Sequence, residues 1–476
     1  MLSRTSHTLL RTLRTPTFRP LSTSTAAWAN IASEFTVSPT TGFLPRHDPL
    51  AVLPHYFEKL SELLHEMPAY KGDGTYGLLH SGRFGERVET ELPMYDVGFI
   101  FDRRILTALY RDYTFLASAY LLEPCDIQYR LARNYGLARR VLPANIAVPL
   151  EIIAGRLGAR PFLEHSMSYT FYNYRRKDQA LDISVDNIEP IRMFSGCSAE
   201  HSYIVAHVAA AQHTGKVVES ATNLLSAVRT NDRALFDTAL HQYTEAMGKV
   251  NNVMSSTLRS SGEYASFRTF LSGSKGQPMF NHGIQFEGSQ DSSMRTYFGV
   301  AQSSNPVASL STHLFQLSSL SPQGTLPCSD GIDMHRPANY QAFLHHIDAE
   351  SRTLNVQRYA LADAASSANY MGALDQVLAY RYRQWANLRE SMPVQPSAMA
   401  VASREGFARQ SHHIKDLAGL IHRTLANTDV ELLMPHQRTA AEHIAHRADV
   451  VRRSLNRVLA EPDAAPAELP VSMIAY

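Results

Sequence analysis

The chain has 476 residues, of which 44% are apolar, and this is enough for a large core and more than one ordinary domain. Its 45 basic and 44 acidic residues give a net charge near zero, which argues against general electrostatic attraction to nucleic acid or to anionic membranes. No apolar run reaches the roughly 18 to 20 residues that a membrane span requires, so we expect a soluble protein.

The first 30 residues differ in composition from the rest of the chain. They contain four arginines, many hydroxyl side chains and no acidic residue, since Glu34 is the first acid in the sequence. This composition is typical of a mitochondrial transit peptide rather than of a secretory signal. The alternative is a disordered tail on a cytoplasmic protein.

Two domains are predicted from the change in pattern along the chain. Residues 31–188 form a small N-terminal domain, in which short helical patterns alternate with turns rich in proline and glycine. One helix is expected over 107–122 and another after Pro149. Residues 189–460 are strongly helical and predict a large all-α domain, followed by a tail over 461–476. The predicted fold class is therefore mainly α.

Two apolar stripes with helical spacing mark the start of the large domain. The first consists of Val217, Ala221, Leu224 and Val228. The second follows a cap at Asn231-Asp232 and consists of Phe236, Leu240, Tyr243, Met247, Val250 and Met254. Glycine, serine and proline then interrupt the periodicity between about 265 and 340, which predicts long loops. A last helical block is expected over 410–460.

Familiar catalytic and metal-binding signatures are absent from the sequence. It contains no GxSxG, GxxxxGK[ST], HExxH or CxxC motif. The three cysteines, Cys125, Cys197 and Cys328, lie far apart, which favours a reducing compartment over a disulfide framework. The histidine pairs His345-His346 and His412-His413 are expected on solvated helix faces, because adjacent helical residues point about 100° apart.

One helical stripe carries polar residues on its apolar side. Leu374, Val377, Arg381, Gln384 and Leu388 recur at steps of three and four and therefore share one face. Buried polar groups need partners. Either Arg381 and Gln384 satisfy structural neighbours, or this face borders a ligand cavity.

Five segments in register resemble the indoleamine 2,3-dioxygenase family. The strongest is "RTFLSGSKGQPMFNHGIQFEG" (268–288), which is close to the pattern RxxLxGxxGxPxxxxGxxxEG of that family. The others are "SPTTGFL" (38–44), "VLPANIAVPLEIIAGRLGARP" (141–161), "AQSSNP" (301–306) and "RPANYQAFLHHIDAES" (336–351). The resemblance covers roughly residues 35 to 430. It implies a small N-terminal domain and a large helical domain that encloses haem b.

The resemblance also assigns candidate site residues. Arg381 matches the arginine that supports a haem propionate, and Gln384 falls on the position of the histidine that ligates the iron. The substrate carboxylate partner corresponds to Arg268, and the loop that closes over the substrate falls on 409–415, while Phe298 adds bulk beside the porphyrin position. The remaining substrate-side positions are Ser166, Tyr203, Ala206, Tyr264 and Gly299, and Gln302 is also retained. His207 and His165 are the candidates for a substitute iron ligand.

Two functions follow from the resemblance. The first is a divergent dioxygenase-like enzyme that acts with dioxygen on a small aromatic, tryptophan-like molecule, with iron held through Gln384 or a substitute histidine. The second keeps the cavity but not the haem, and describes a small-molecule-binding protein or a non-redox enzyme of cyclisation or elimination. A monomer without nucleic-acid or membrane partners is expected in either case.

Overall fold

The computed structural model describes residues 37–257, 265–300, 305–320, 333–390 and 398–460. The expected transit peptide and C-terminal tail lie outside the described residues, as do Tyr264, Gln302 and Cys328. The division into domains at residue 188 stays a prediction.

Helices dominate the described chain, which confirms the mainly α fold class. Numbered in chain order, the α-helices are α1 (Glu58–Glu66), α2 (Leu78–Ser81), α3 (Phe84–Glu91), α4 (Arg103–Ala132), α5 (Ala144–Leu157), α6 (Ser198–Ala211), α7 (Thr214–Thr230), α8 (Arg233–Thr257), α9 (Ala265–Arg268), α10 (Pro306–Leu314), α11 (Ala338–Leu354), α12 (Val356–Ala360), α13 (Ala364–Glu390), α14 (Ala398–Ala426) and α15 (Pro435–Ala460). Short 3-10 turns occur at His55–Phe57, Thr269–Leu271, Leu317–Leu320, Asp333–His335 and Val430–Leu432. None of the helices in these ranges is long and apolar enough to cross a bilayer.

Two small sheets connect distant parts of the chain. Strands β1 (Val141–Leu142) and β4 (Gln285–Phe286) pair in parallel, and β2 (Tyr174–Arg176) and β3 (Ile188–Pro190) pair antiparallel. The first pairing joins two of the segments that carry the family resemblance.

The two helices predicted from apolar stripes are confirmed as α7 and α8. Between them, Asn231 adopts a left-handed conformation with φ of 53°, which ends α7. Asp232 then caps α8, because its carboxylate accepts a hydrogen bond from the backbone N–H of Leu235 at 3.0 Å.

Three predicted boundaries are wrong. The helix expected over 107–122 is the longer α4, which the Asp102 carboxylate caps by accepting from the N–H groups of Arg104 and Ile105. Helix α5 begins at Ala144, so Pro149 lies inside the helix, where it removes one backbone hydrogen bond. The expected loop region from 265 to 340 is irregular over most of 272–300, but it also contains α10, which the Asn305 side chain caps.

Helix α13 is the central helix of the C-terminal half of the described chain. It packs against α8, α14 and α15 and also touches α10. Asp375 of α13 and Arg447 of α15 form a buried ion pair of 3.1 Å. The stripe with Arg381 and Gln384 therefore lies inside a helical bundle, where its position is fixed by packing on several sides.

Candidate functional site

A single turn of π-helix, His165–Tyr169, forms one wall of the candidate site. Glu164 begins this turn, because its carboxylate accepts from the N–H groups of Ser166 at 2.7 Å and Met167 at 2.8 Å. Burial raises the pKa of Glu164, although the nearby Arg336 charge and these N–H groups oppose the shift. Turns of π-helix are rare and occur often at functional sites.

Two buried histidines meet edge to face between the π-helix and α6. The ring centroids of His165 and His207 are 5.1 Å apart, and the ring planes meet at 76°. Nδ1 of His207 lies 2.7 Å from the carbonyl oxygen of Tyr203. Because a carbonyl only accepts, Nδ1 carries the proton and Nε2 keeps its lone pair. Within the described residues, Nε2 of His207 and both ring nitrogens of His165 have no hydrogen-bond partner.

Both imidazoles are neutral at physiological pH. Burial lowers the pKa of His207 to about 4, against the hydrogen bond with Tyr203. The pKa of His165 is held well below its usual value by burial first, and then by His207 and the Arg336 charge. Neutral imidazoles can accept a proton, donate a hydrogen bond or ligate a metal ion.

Three further predicted residues lie around this pair. The ring of Tyr203 is 4.3 Å from that of His207 and 5.9 Å from that of Phe267. Ala206 is fully buried one residue before His207. Ser166 is fully buried too, and its hydroxyl has no hydrogen-bond partner in the part of the chain that the structure describes.

A small pocket adjoins His165. It has a volume of about 20 Å³, which is room for about one water molecule. Its lining includes the aromatic or polar side chains of Phe162, Glu164, His165, Phe298 and His335, and the backbone of Gly299. The structure thus brings the predicted residues Phe298 and Gly299 together with His165.

Phe298 and Gly299 are held in place by a close backbone crossing. The Val300 N–H donates to the Leu271 carbonyl at 2.8 Å. A Cβ atom on Gly299 would collide with the backbone nitrogen of Gly273 and with that carbonyl. The Phe298 ring meets His335 edge-on at 5.0 Å and lies 4.4 Å from the Lys275 ammonium.

The polar stripe on α13 is buried as its spacing predicts. Arg381 donates through Nη2 to the Thr312 hydroxyl at 2.6 Å and to the Ala308 carbonyl at 3.1 Å, both on α10. Gln384 is buried one turn further along the same face. Arg381 therefore has structural partners, and the contacts with α10 account for its burial.

The donor set of α13 does not fit a haem attached in the way that the resemblance implies. Gln384, which the resemblance places at the axial-ligand position, is an amide; an amide is a much weaker donor to iron than imidazole and lacks the second nitrogen that orients a ligating histidine. On the neighbouring helix α14, His413 is close enough to Arg381 for the two to interact electrostatically. Burial and the charge of Arg381 lower the pKa of His413 to about 3. Helix α13 therefore offers no imidazole to a haem iron.

His413 corrects two expectations. It is buried on α14 rather than solvated, whereas His412 and His345 are exposed and His346 is half-buried. The segment 409–415, expected to form the loop over the substrate, is helical within α14. The sequence does hold a signal for this burial, because His413 shares a helical stripe with Leu417 and Ile421.

Arg336 was not predicted as a site residue. It is buried, donates through Nε to Asp333 at 2.6 Å and through Nη2 to Ser309 at 3.0 Å, and its charge acts on Glu164 and His165. It belongs to the segment "RPANY" used for the resemblance, and that is the signal by which it could have been found.

Arg268 does not line the small pocket. It is half-buried at the end of α9, and its charge acts on Tyr135 and opposes the rise of the Tyr135 pKa to about 12 that burial causes. Its neighbour Phe267 is the residue that approaches Tyr203. The role of Arg268 as carboxylate partner stays a prediction.

The chain matches the family model "Indoleamine 2,3-dioxygenase" over residues 31–386. It is similar to human Indoleamine 2,3-dioxygenase 2, with 24% identity over 53% of this chain and 58% of that protein. It is also similar to Indoleamine 2,3-dioxygenase acdA of Aspergillus candidus, with 26% identity over 52% of this chain and 58% of the relative. The match thus spans less than two thirds of the length of each of these two proteins.

A further relative is Myoglobin of Haliotis diversicolor, which is 24% identical over 73% of this chain and 85% of its own length. The family model covers more than half of the chain and includes the π-helix, the crossing loops, and Arg381 and Gln384 of the α13 stripe. This chain belongs to the indoleamine 2,3-dioxygenase family.

Proposed function

We propose that this chain is a divergent indoleamine 2,3-dioxygenase-like enzyme that acts on a small aromatic, indole-derived molecule related to tryptophan. The observation that carries the proposal is the buried histidine pair beside the pocket with Phe162 and Phe298. Aromatic rings bind a flat apolar molecule, and the neutral imidazoles next to them supply polar groups for its heteroatoms. The names of the relatives support an indoleamine as the substrate class.

Arg268 is the proposed partner of the substrate carboxylate. A guanidinium can bind both oxygens of a carboxylate and so fixes the position and orientation of the substrate. Phe267, the preceding residue, packs on Tyr203 and thereby ties this arginine to the helix that carries His207. Binding of a tryptophan-like acid requires the pocket to widen, because its volume of about 20 Å³ holds only about one water.

A second candidate is a haem-free protein that binds the same class of molecule or catalyses a cyclisation or elimination. Gln384 favours it, since α13 offers no imidazole for iron. Neutral buried histidines can transfer protons without a redox cofactor, so His165 and His207 would then act on the substrate directly.

The experiment is turnover by the purified full-length chain under ¹⁸O₂, with L-tryptophan, tryptamine and indole as separate substrates. A product that contains two ¹⁸O atoms supports the dioxygenase proposal. A product without ¹⁸O supports the non-redox enzyme, and saturable binding without product supports the binding protein. If the protein neither binds nor converts any of the three compounds, both candidates are contradicted.

An absorption spectrum of the same preparation tests whether Gln384 ligates a haem iron. We expect added haem to give no Soret band that depends on Gln384, so that Gln384→Ala leaves the spectrum unchanged. Gln384→His is the complementary variant, because it returns an imidazole to this position. A wild-type Soret band that disappears in Gln384→Ala contradicts our conclusion that α13 does not hold haem.

A further inference from the structure

The histidine pair has unmet hydrogen-bonding capacity in a buried place. His165 and His207 are both at most 1% exposed. Among the described residues, three of their four ring nitrogens have no hydrogen-bond partner. A buried polar group without a partner costs about 1–3 kcal/mol. Burying both histidines therefore costs free energy unless a bound group satisfies these nitrogens.

The separation of the two rings matches a shared metal ion. With metal–nitrogen bonds of about 2.0–2.1 Å, each imidazole centroid lies about 3.2 Å from the ion, and two imidazoles at a tetrahedral angle have centroids about 5.2 Å apart. The observed distance is 5.1 Å. Two imidazoles on opposite faces of one haem would be about 6.4 Å apart by the same bond lengths. The pair is thus too close to hold a haem iron between them.

The hydrogen bond of His207 favours metal binding as well. Metal-ligating histidines usually donate their second ring N–H to a carbonyl or carboxylate, which fixes the tautomer and the orientation of the ring. His207 does this through Nδ1 to the Tyr203 carbonyl and keeps the Nε2 lone pair available.

We propose that His165 and His207 bind one transition-metal ion of the kind that imidazole prefers, such as copper or zinc. No third histidine, cysteine or carboxylate converges with them in the part of the chain that is described. Two protein ligands leave the other coordination positions to water or to a bound molecule. The adjoining pocket has room for about one water, and the buried carboxylate of Glu164 on its wall offsets part of the charge of the ion.

Metal titration of the full-length chain tests this site. The protein is treated with chelator and titrated with Co²⁺, whose visible absorption reports coordination by protein nitrogen, and Zn²⁺ is then added as competitor. We expect one tight equivalent of Co²⁺ per chain, displaced by Zn²⁺. His165→Phe and His207→Gln each weaken this binding at least about 100-fold, because either removes one of only two protein ligands.

His201→Gln is the matched control, since His201 lies on the same helix as His207 but outside the pair. It controls for binding at other surface or half-buried histidines, of which the chain has many. Circular dichroism and thermal unfolding establish that each variant is folded, and His207→Gln keeps a side chain of similar size if His165→Phe does not fold.

Three outcomes overturn the proposal. Absence of tight Co²⁺ and Zn²⁺ binding by folded wild-type protein is the first. The second is binding of equal strength in wild type, His165→Phe and His207→Gln. The third is a haem Soret band that is lost in one of these variants, which makes that histidine an axial haem ligand instead. None of these measurements depends on turnover, so failure of the enzyme proposal and failure of the metal site are distinguishable.

Discussion

At the residue scale, His313 on α10 contacts two aspartates. Its Nε2 lies 3.1 Å from Asp333 and its Nδ1 lies 3.2 Å from Asp348, while Arg336 also binds Asp333. Burial disfavours its charge, but the hydrogen bonds and charges of the two aspartates outweigh burial and raise the pKa of His313 to about 9. Through these two ion pairs the protonated imidazole of His313 links α10 to α11 and to the turn at Asp333–His335.

This raised pKa predicts a loss of stability at alkaline pH. The contribution is complete below the unfolded pKa of about 6.5 and is lost as pH rises through about 9, and it amounts to about 3 kcal/mol at most. His313→Gln should therefore reduce the free energy of unfolding more at pH 6 than at pH 10. Urea denaturation at several pH values measures this, with the exposed His345→Gln as control. A constant difference between wild type and His313→Gln across this range contradicts the prediction.

Arg268 gives a prediction about ligand recognition. If its guanidinium binds the substrate carboxylate, Arg268→Met should weaken binding of L-tryptophan about 10- to 100-fold, equivalent to about 1.5–3 kcal/mol for a hydrogen bond to a charged group. Tryptamine lacks the carboxylate and should bind both proteins alike. Calorimetric titration compares the two ligands, and Arg358→Met at an exposed position is the control. Equal weakening for both ligands would assign Arg268 a structural role.

At the element scale, the backbone crossing of 271–273 with 297–300 sets the wall of the pocket. The Lys275 N–H donates to the Tyr297 carbonyl at 2.9 Å, and the Tyr297 N–H donates to the Ser274 hydroxyl at 2.9 Å. These bonds fix Phe298 beside His165 although the segment has no regular secondary structure. Glycines occupy both sides of the crossing because a side chain there has no space.

Gly299→Ala tests this crossing. Its Cβ would meet backbone atoms rather than a flexible side chain, so we expect a loss of about 1–3 kcal/mol in the free energy of unfolding. Gly155→Ala in α5 is the matched control, since a Cβ there meets open space and the change is expected to stabilise the helix by up to about 1 kcal/mol. Chemical denaturation measures both. Unchanged stability of Gly299→Ala would mean that the two segments can separate without cost.

At the scale of the whole molecule, the same fold accommodates a changed site because packing and chemistry use different residues. Helix α13 is held by its contacts with α8, α14 and α15 and by the Asp375–Arg447 pair. The Asp375–Arg447 pair does not involve position 384. The chain can thus keep the architecture of its family with an amide at Gln384, the position that the resemblance assigns to the iron ligand.

The location of the protein in the cell stays a prediction. Residues 1–30, fused to a fluorescent protein, should direct it to mitochondria because their arginines and lack of acids suit import. Replacing Arg4, Arg11, Arg14 and Arg19 by glutamine should leave the fusion in the cytosol. Microscopy of both fusions measures this, and a cytosolic wild-type fusion would contradict the prediction.

The sequence by itself determined the helical class, the apolar stripes of α7, α8 and α13 and the family, since these depend on residue periodicity and on motifs of adjacent residues. It left helix ends uncertain by several residues, as α4 and α5 illustrate, because capping by Asp102 and tolerance of Pro149 depend on local geometry.

Only the tertiary structure decided which polar residues meet. His165 and His207 are 42 positions apart in sequence, yet their ring centroids are 5.1 Å apart. His413 is buried on α14, where the charge of Arg381 on α13 lowers its pKa. Burial and proximity arise from how helices pack, and periodicity alone does not give the rotation of one helix about another. The amide at Gln384 could be read from the sequence, whereas the contact between the imidazoles of His165 and His207 became visible only when α6 was packed on the π-helix.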